Sequence, residues 1–223
     1  MPIERDWYEH QKHSMTNRII FSTLELPGKT TILKGHIPSD LCDELEEKAR
    51  PFVEDVNCNL KNTERTGWRL FQHEELAPLF QKVADRVTET ILSYFKRSPA
   101  ITMEGKPAFE VNCEYVNAWV AWYSKDSFVQ PHVHGSGDMF CIEYSLSTYL
   151  KVPKDYTELT FSPCVNNMVE NFSIEVRKGD FLIFPSNLMH YTNDCEEGRV
   201  ILSANFIVNI TRLKNENGQE IKE

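Results

Sequence analysis

The sequence predicts a mainly β protein with helices gathered on its N-terminal side, its strands pairing antiparallel into a sandwich or barrel. Three observations carry this expectation. From Phe109 onward the chain breaks into short runs rich in Val, Ile, Phe, Tyr and Trp, several alternating with period two. No helical segment of useful length separates those runs, which removes the crossover that parallel strands require. Before residue 100 the apolar periodicity is that of helices instead. A chain of 223 residues, 41% hydrophobic, can bury one sizeable core. It is therefore read as a single domain over 1–223, with 1–100 mostly helical support, 101–212 the β core, and 213–223 a flexible tail.

The first helix is expected in IPSDLCDELEEKARPF. Ser39 is a good N-cap, Asp40, Asp43 and Glu44 favour the positive end of the helix dipole, and Leu41, Leu45 and Ala49 share one face before Pro51 closes the helix. A longer one fits EELAPLFQKVADRVTETILSYFKR. There Leu76, Leu79, Phe80, Val83, Val87, Ile91 and Phe95 recur at three- and four-residue steps, and Pro78 is tolerable in the first turn alone. This apolar stripe is read as core-facing. The strands are expected in FEVNCEYVNAWVAWYS, MFCIEYSLSTYL, ELTFS, NFSIEV, DFLIFP and RVILSANFIVNI.

A net charge of −9 argues against binding a phosphate backbone, which depends on clustered Lys and Arg. The charged opening MPIERDWYEHQKH and the lack of any long apolar run point to a soluble, cytoplasmic protein with no membrane partner. Six scattered cysteines with no CxxC pair are expected to be reduced thiols.

The chemistry is concentrated in two stretches. In PHVHGSGDMF, His132 and His134 stand two apart, so on a strand both side chains point to one side. In RKGDFLIFPSNLMHYTND, Gly179 and Asp180 make a turn into an apolar strand that ends at Pro185 and Ser186 and delivers His190, the candidate third metal ligand. Nine residues on, Arg199 opens RVILSANF. An arginine at the start of an apolar strand is expensive to bury unless it meets an anion, the plain alternative being a salt bridge at the strand edge. His10, His13, His36 and His73 are expected in surface roles.

HxH, then GDFLIFPSNLMH, then RVILSANF resembles the double-stranded β-helix (jelly roll, cupin-like) of the Fe(II)- and 2-oxoglutarate-dependent oxygenases, over Asn117 to about Phe206. The resemblance implies a facial set of metal ligands that leaves positions for 2-oxoglutarate and O2. It implies Arg199 as the partner of the distal carboxylate of that co-substrate, with Tyr123, Tyr144 and Ser203 as further contacts. The family usually carries a carboxylate where this chain has His134. Three readings follow: a three-histidine site of His132, His134 and His190; Asp138 folding back across Gly135-Ser136-Gly137 as the carboxylate; or a lost ligand.

The implied function is a non-haem iron dioxygenase that couples O2 and 2-oxoglutarate decarboxylation to oxidation of a substrate, by hydroxylation in the usual case. The alternatives are a three-histidine iron dioxygenase that takes no 2-oxoglutarate, and a cupin-like protein that binds a metal or small acid without turnover. Trp119, Trp122, Tyr149 and the segment from Lys151 to Phe172 are expected to border a substrate opening.

Overall fold

The computed structural model describes residues 21–26, 30–54, 63–96, 102–103, 106–107, 109–134, 144–165, 168–193 and 198–212. Their main elements are β1 (Ser22–Leu26), β2 (Thr30–His36), α1 (Ser39–Ala49), β3 (Val53–Glu54), β4 (Thr63–Thr66), α2 (Ala77–Lys96), β5 (Phe109–Tyr123), β6 (Val129–His132), β7 (Tyr144–Lys151), β8 (Thr157–Phe161), β9 (Phe172–Val176), β10 (Asp180–Pro185), β11 (His190–Thr192) and β12 (Arg199–Arg212). The expected tail, along with His10 and His13, lies outside the described residues.

Two sheets face each other. The larger runs β1-β2-β10-β7-β12-β5-β4-β3 and the smaller β9-β8-β11-β6, with every strand pair antiparallel. Period-two alternation splits each central strand of the larger sheet between two cores. Val200, Leu202, Ala204 and Phe206 of β12, with Phe181 and Ile183 of β10, face the helices. Ile201 of β12, Leu182 and Phe184 of β10, and Trp119, Ala121 and Tyr123 of β5 face the smaller sheet and meet Leu159, Phe161, Ile174 and Val176. The second core is the barrel interior. It is thin, and it is where polar groups appear.

Both expected helices are present. In α2 the stripe from Leu76 to Ile91 is buried against the sheet, with Pro78 in the first turn. In α1, Leu41, Leu45 and Ala49 are buried together as expected, but Ser39 is not the cap. Pro38 takes that position in extended geometry, its carbonyl accepting from Cys42 N–H at 3.2 Å, while the Asp40 carboxylate accepts from Leu41 N–H. The N-terminal hundred residues are also more than helical support. β1 and β2 extend the larger sheet through pairing of β2 with β10, because TTILKGH is short, β-branched and able to complete an edge.

The Gly179–Asp180 turn is held on both sides. Gly179 has φ +87°, and a Cβ there would meet the Ile37 carbonyl oxygen at 2.5 Å. The Asp180 carboxylate, 1% exposed, accepts from Lys34 Nζ at 3.2 Å, His36 Nδ1 at 3.1 Å and the Arg177 N–H at 2.9 Å. Burial pushes this carboxyl up, yet His36, Lys34 and the Arg177 amide together hold it below its ordinary 3.8. His36 is thus a structural partner rather than the surface group expected. A lowered carboxylate contributes stability that is present above pH ~4 and lost as pH falls through the folded-state value. Asp180→Ala is expected to cost about 3 kcal/mol at pH 7, measured by urea unfolding, because it removes a buried carboxylate and leaves the half-buried Lys34 with the Glu175 carbonyl in place of a counter-charge. The gap between variant and parent should narrow as pH drops below ~4.

Candidate metal centre

The three histidines meet at one end of the barrel interior. β6 and β11 pair so that His132 stands opposite His190, and a bulge sets Val129 opposite Thr192, three residues on one strand against two on the other. The chain leaving β6 then returns under the FPS turn, where His134 N–H donates to the Ser186 carbonyl at 2.8 Å. Pro131 is harmless there because β6 is the edge of its sheet. One nitrogen from each ring lies within 4.8 Å of the other two, and no other group of three such side chains stands together among the described residues.

The tautomers follow from the outer partners. His132 Nδ1 sits 2.8 Å from the Gln130 carbonyl, His190 Nδ1 2.9 Å from the Leu188 carbonyl, and His134 Nδ1 2.6 Å from the Asn205 amide oxygen. Each of these oxygens only accepts, so each ring carries its proton on Nδ1 and turns an Nε2 lone pair inward. His132 Nε2 and His134 Nε2 are then 3.0 Å apart with no proton between them. Two lone pairs at that distance repel unless a cation lies between them. Nitrogens bound at about 2.1 Å and at right angles to one ion are separated by about 3 Å. The donor set therefore fits a divalent metal of the imidazole-binding class. Burial lowers His134 to about 4, against the Asn205 hydrogen bond and with help from His132, and lowers His190 to about 3. Both rings are neutral at neutral pH, the form in which an imidazole can bind a metal.

Arg199 lies deeper in the same interior. It is 1% exposed, with Cζ 5.0 Å from the Tyr123 ring centre. Its Nη1 donates to the Asn193 carbonyl at 3.1 Å, its Nη2 to Thr192 Oγ at 2.5 Å and, at 3.5 Å, to the Ser127 carbonyl. All three acceptors are neutral, and among the described residues no carboxylate pairs with this guanidinium. Its Nε is buried with no hydrogen-bond partner, and so is the hydroxyl of Tyr149. Tyr149 pairs across the strands with Ile201, two residues along β12 from Arg199, and while burial pushes its hydroxyl up the Arg199 charge pulls it down. Thr192, which holds the guanidinium, is two residues beyond His190 with the same inward orientation, a rise of about 6.6 Å along one strand.

Other expected residues fall differently. Ser203 points inward on β12 as period-two counting requires, opposite Trp119 and Ser147. Tyr144 does not reach Arg199. It packs against the helix-side core, its ring 5.9 Å from that of Phe206. On β7 it is Ser145, Ser147 and Tyr149 that face the barrel interior, and a shift of one residue exchanges the two faces. Tyr149 is fully buried beside Arg199 rather than at an opening, and Trp122 lies on the outward face with Arg50 stacked on it at 5.0 Å. Trp119 does border the site, 6.0 Å from the His134 ring, and it packs edge-on against the half-exposed Trp68 at 4.6 Å. Asp138 lies outside the described residues.

No protein-family model and no curated protein matches the sequence. Solved structures do match. A prolyl-4-hydroxylase from Pseudomonas putida is 16% identical with TM-score 0.55, covering 84% of this chain and 95% of that one. HygX from Streptomyces hygroscopicus, with nickel and 2-oxoglutarate bound, is 16% identical with TM-score 0.51, covering 79% and 82%. A prolyl hydroxylase from Trichoplax adhaerens, in complex with a hypoxia inducible factor peptide, is 12% identical with TM-score 0.54, covering 83% of each.

The fold is that of the 2-oxoglutarate- and Fe(II)-dependent oxygenases. Within this oxygenase fold the helices brace one face of the larger sheet and leave the other to the smaller sheet and the histidines. Among the described residues, no helix is long and apolar enough to cross a membrane.

Proposed function

We propose that this chain is an oxygenase that uses Fe(II), O2 and 2-oxoglutarate to oxidise a C–H bond of its substrate, with His132, His134 and His190 as the metal ligands. The observation that carries the reading is the juxtaposition on β11: a histidine whose lone pair faces two others, and two residues on a threonine that holds a buried guanidinium with no carboxylate partner among the described residues. A structural metal site has no need of that cation. A dicarboxylic acid reaching from the histidines into the barrel would satisfy it.

Bound iron and 2-oxoglutarate supply the oxidising chemistry, with succinate and CO2 released. The chain's part is placement. Three Nδ1–H hydrogen bonds keep the imidazoles turned toward one point. Arg199 Nε and the Tyr149 hydroxyl, both unpartnered, donate to the distal carboxylate, while Thr192 and the Asn193 carbonyl keep the guanidinium from rotating. Leu159, Phe161, Leu182 and Phe184 wall the interior and exclude water from it. Three neutral ligands leave the full charge of the ion in place, which favours a dianionic co-substrate. The nickel and 2-oxoglutarate bound by HygX support this reading.

The test is anaerobic addition of Fe(II) and then 2-oxoglutarate to the metal-free protein. A weak visible charge-transfer band is expected on the second addition, and succinate once O2 and a substrate are admitted. Binding of iron with no band, or O2 consumption with no succinate, would overturn the role of 2-oxoglutarate.

A further inference from the structure

A row of polar side chains crosses the floor of the barrel beneath His134. Asn205 of β12 stands between Asn117 of β5 and Ser145 of β7, each its direct cross-strand partner. Asn205 is 4% exposed, Ser145 is wholly buried and Ser186 is 2% exposed. Burying such groups in an apolar interior is costly unless every one is paired.

The pairing has a direction. Asn205 Nδ2 donates to Asn117 Oδ1 at 2.8 Å, which leaves the Asn205 amide oxygen on the side of His134. That oxygen then faces His134 Nδ1 at 2.6 Å and receives the Ser145 hydroxyl at 2.8 Å. Ser145 Oγ lies 3.0 Å from Ser186 Oγ, and with its own proton spent on Asn205 it accepts from Ser186 there. The Ser186 carbonyl in turn accepts His134 N–H, so the FPS turn braces both the main chain and the ring of this histidine. Past the Asn117–Asn205 pair, a bulge in β5 ends the regular register.

We infer that Asn205 is a positioning residue, locking His134 in its Nδ1-protonated form and thereby making a histidine serve as the third ligand. The inference rests on the metal site proposed above. An amide oxygen accepts as a carboxylate would but adds no charge, so the tautomer is set while the site keeps the positive charge of its ion. Ser145 Oγ also lies 3.0 Å from His134 Nδ1, but with its proton given to Asn205 Oδ1 it cannot donate to the ring as well, so the row favours the Nδ1–H form of His134.

Two measurements test this at fixed neutral pH. The first is long-range proton–nitrogen NMR of the metal-free protein, which reports the tautomer directly. His134 is expected as Nδ1–H in the parent and in Asn205→Asp, and as a mixture or the Nε2–H form in Asn205→Leu. The second is Co(II) affinity by chelator competition. Asn205→Leu should bind 10–100-fold more weakly, Asn205→Asp should keep at least parental affinity, and Asn205→Leu should have no further effect in a His134→Ala background. Should Asn205→Leu fail to fold, Ser145→Ala is expected to weaken Co(II) in the same direction by a few fold. An unchanged tautomer in Asn205→Leu, an unchanged Co(II) affinity in Ser145→Ala if that is the variant that folds, or an equal loss with and without His134, would overturn the positioning role. A parent protein that binds no Co(II) would instead remove the metal site itself.

Discussion

His190→Ala is expected to abolish the charge-transfer band and to weaken Co(II) or Fe(II) binding by more than the 10–100-fold that loss of an outer partner costs. His190 is the most constrained of the three proposed ligands. It is 4% exposed, its ring lies 4.7 Å from that of Phe184, and Leu188 fixes its proton on Nδ1. Truncation also removes a packed ring, so the metal-free variant should be less stable, by about 3–5 kcal/mol if it behaves as other buried rings do. Thermal unfolding with and without metal separates the two losses. Metal at a hundred times Kd should add about 2.7 kcal/mol to the parent and nothing to the variant. A variant stabilised by Co(II) as much as the parent would show that the cluster holds no ion.

Arg199→Met is expected to act with opposite signs on the ligand-free and ligand-bound protein. Without co-substrate the guanidinium is a buried charge facing only neutral acceptors, and replacing it with an apolar chain of similar length should leave stability unchanged or raise it, by up to about 1–4 kcal/mol. Affinity for 2-oxoglutarate, read by titrating the visible band, should fall by about 2–5 kcal/mol, roughly 30- to 5000-fold. Tyr149→Phe should lose about 1.5–3 kcal/mol of the same affinity at no cost to the fold, since its hydroxyl has no hydrogen-bond partner among the described residues. Tyr144→Phe is the control and should change nothing, because that ring faces the helices. An Arg199→Met protein that binds 2-oxoglutarate as tightly as the parent would place the co-substrate elsewhere.

Much of the molecule is legible in one dimension because the relevant physics is local. Apolar periodicity identified both helices and the longer strands after Phe109, but not the short β6 and β11 that carry His132 and His190. Because β6 ends at His132, the ring of His134 joins the cluster through the chain that follows the strand, not through strand alternation. The HxH, FPSNLMH and arginine pattern pointed to the fold that the solved structures share. Other features depend on which strands become neighbours. β1 and β2 were invisible because seven β-branched and polar residues are a strand only once β10 offers an edge. Tyr144 and Tyr149 differ by an odd number of residues, so the face of the sheet decides between them, and that face is set by which side the helices cover.

The sequence by itself determined the β-rich class and the two helices, since both follow from residue type and short-range spacing, and the resemblance of its motifs marked the three histidines and Arg199 as candidates. Only the tertiary structure decided that Tyr149 rather than Tyr144 stands beside Arg199 and that Asn205, 71 residues from His134, holds that ring by hydrogen bonding. A hydrogen bond reads orientation to within tenths of an ångström, and residues so far apart in the chain acquire a mutual orientation only when the strands that carry them have paired.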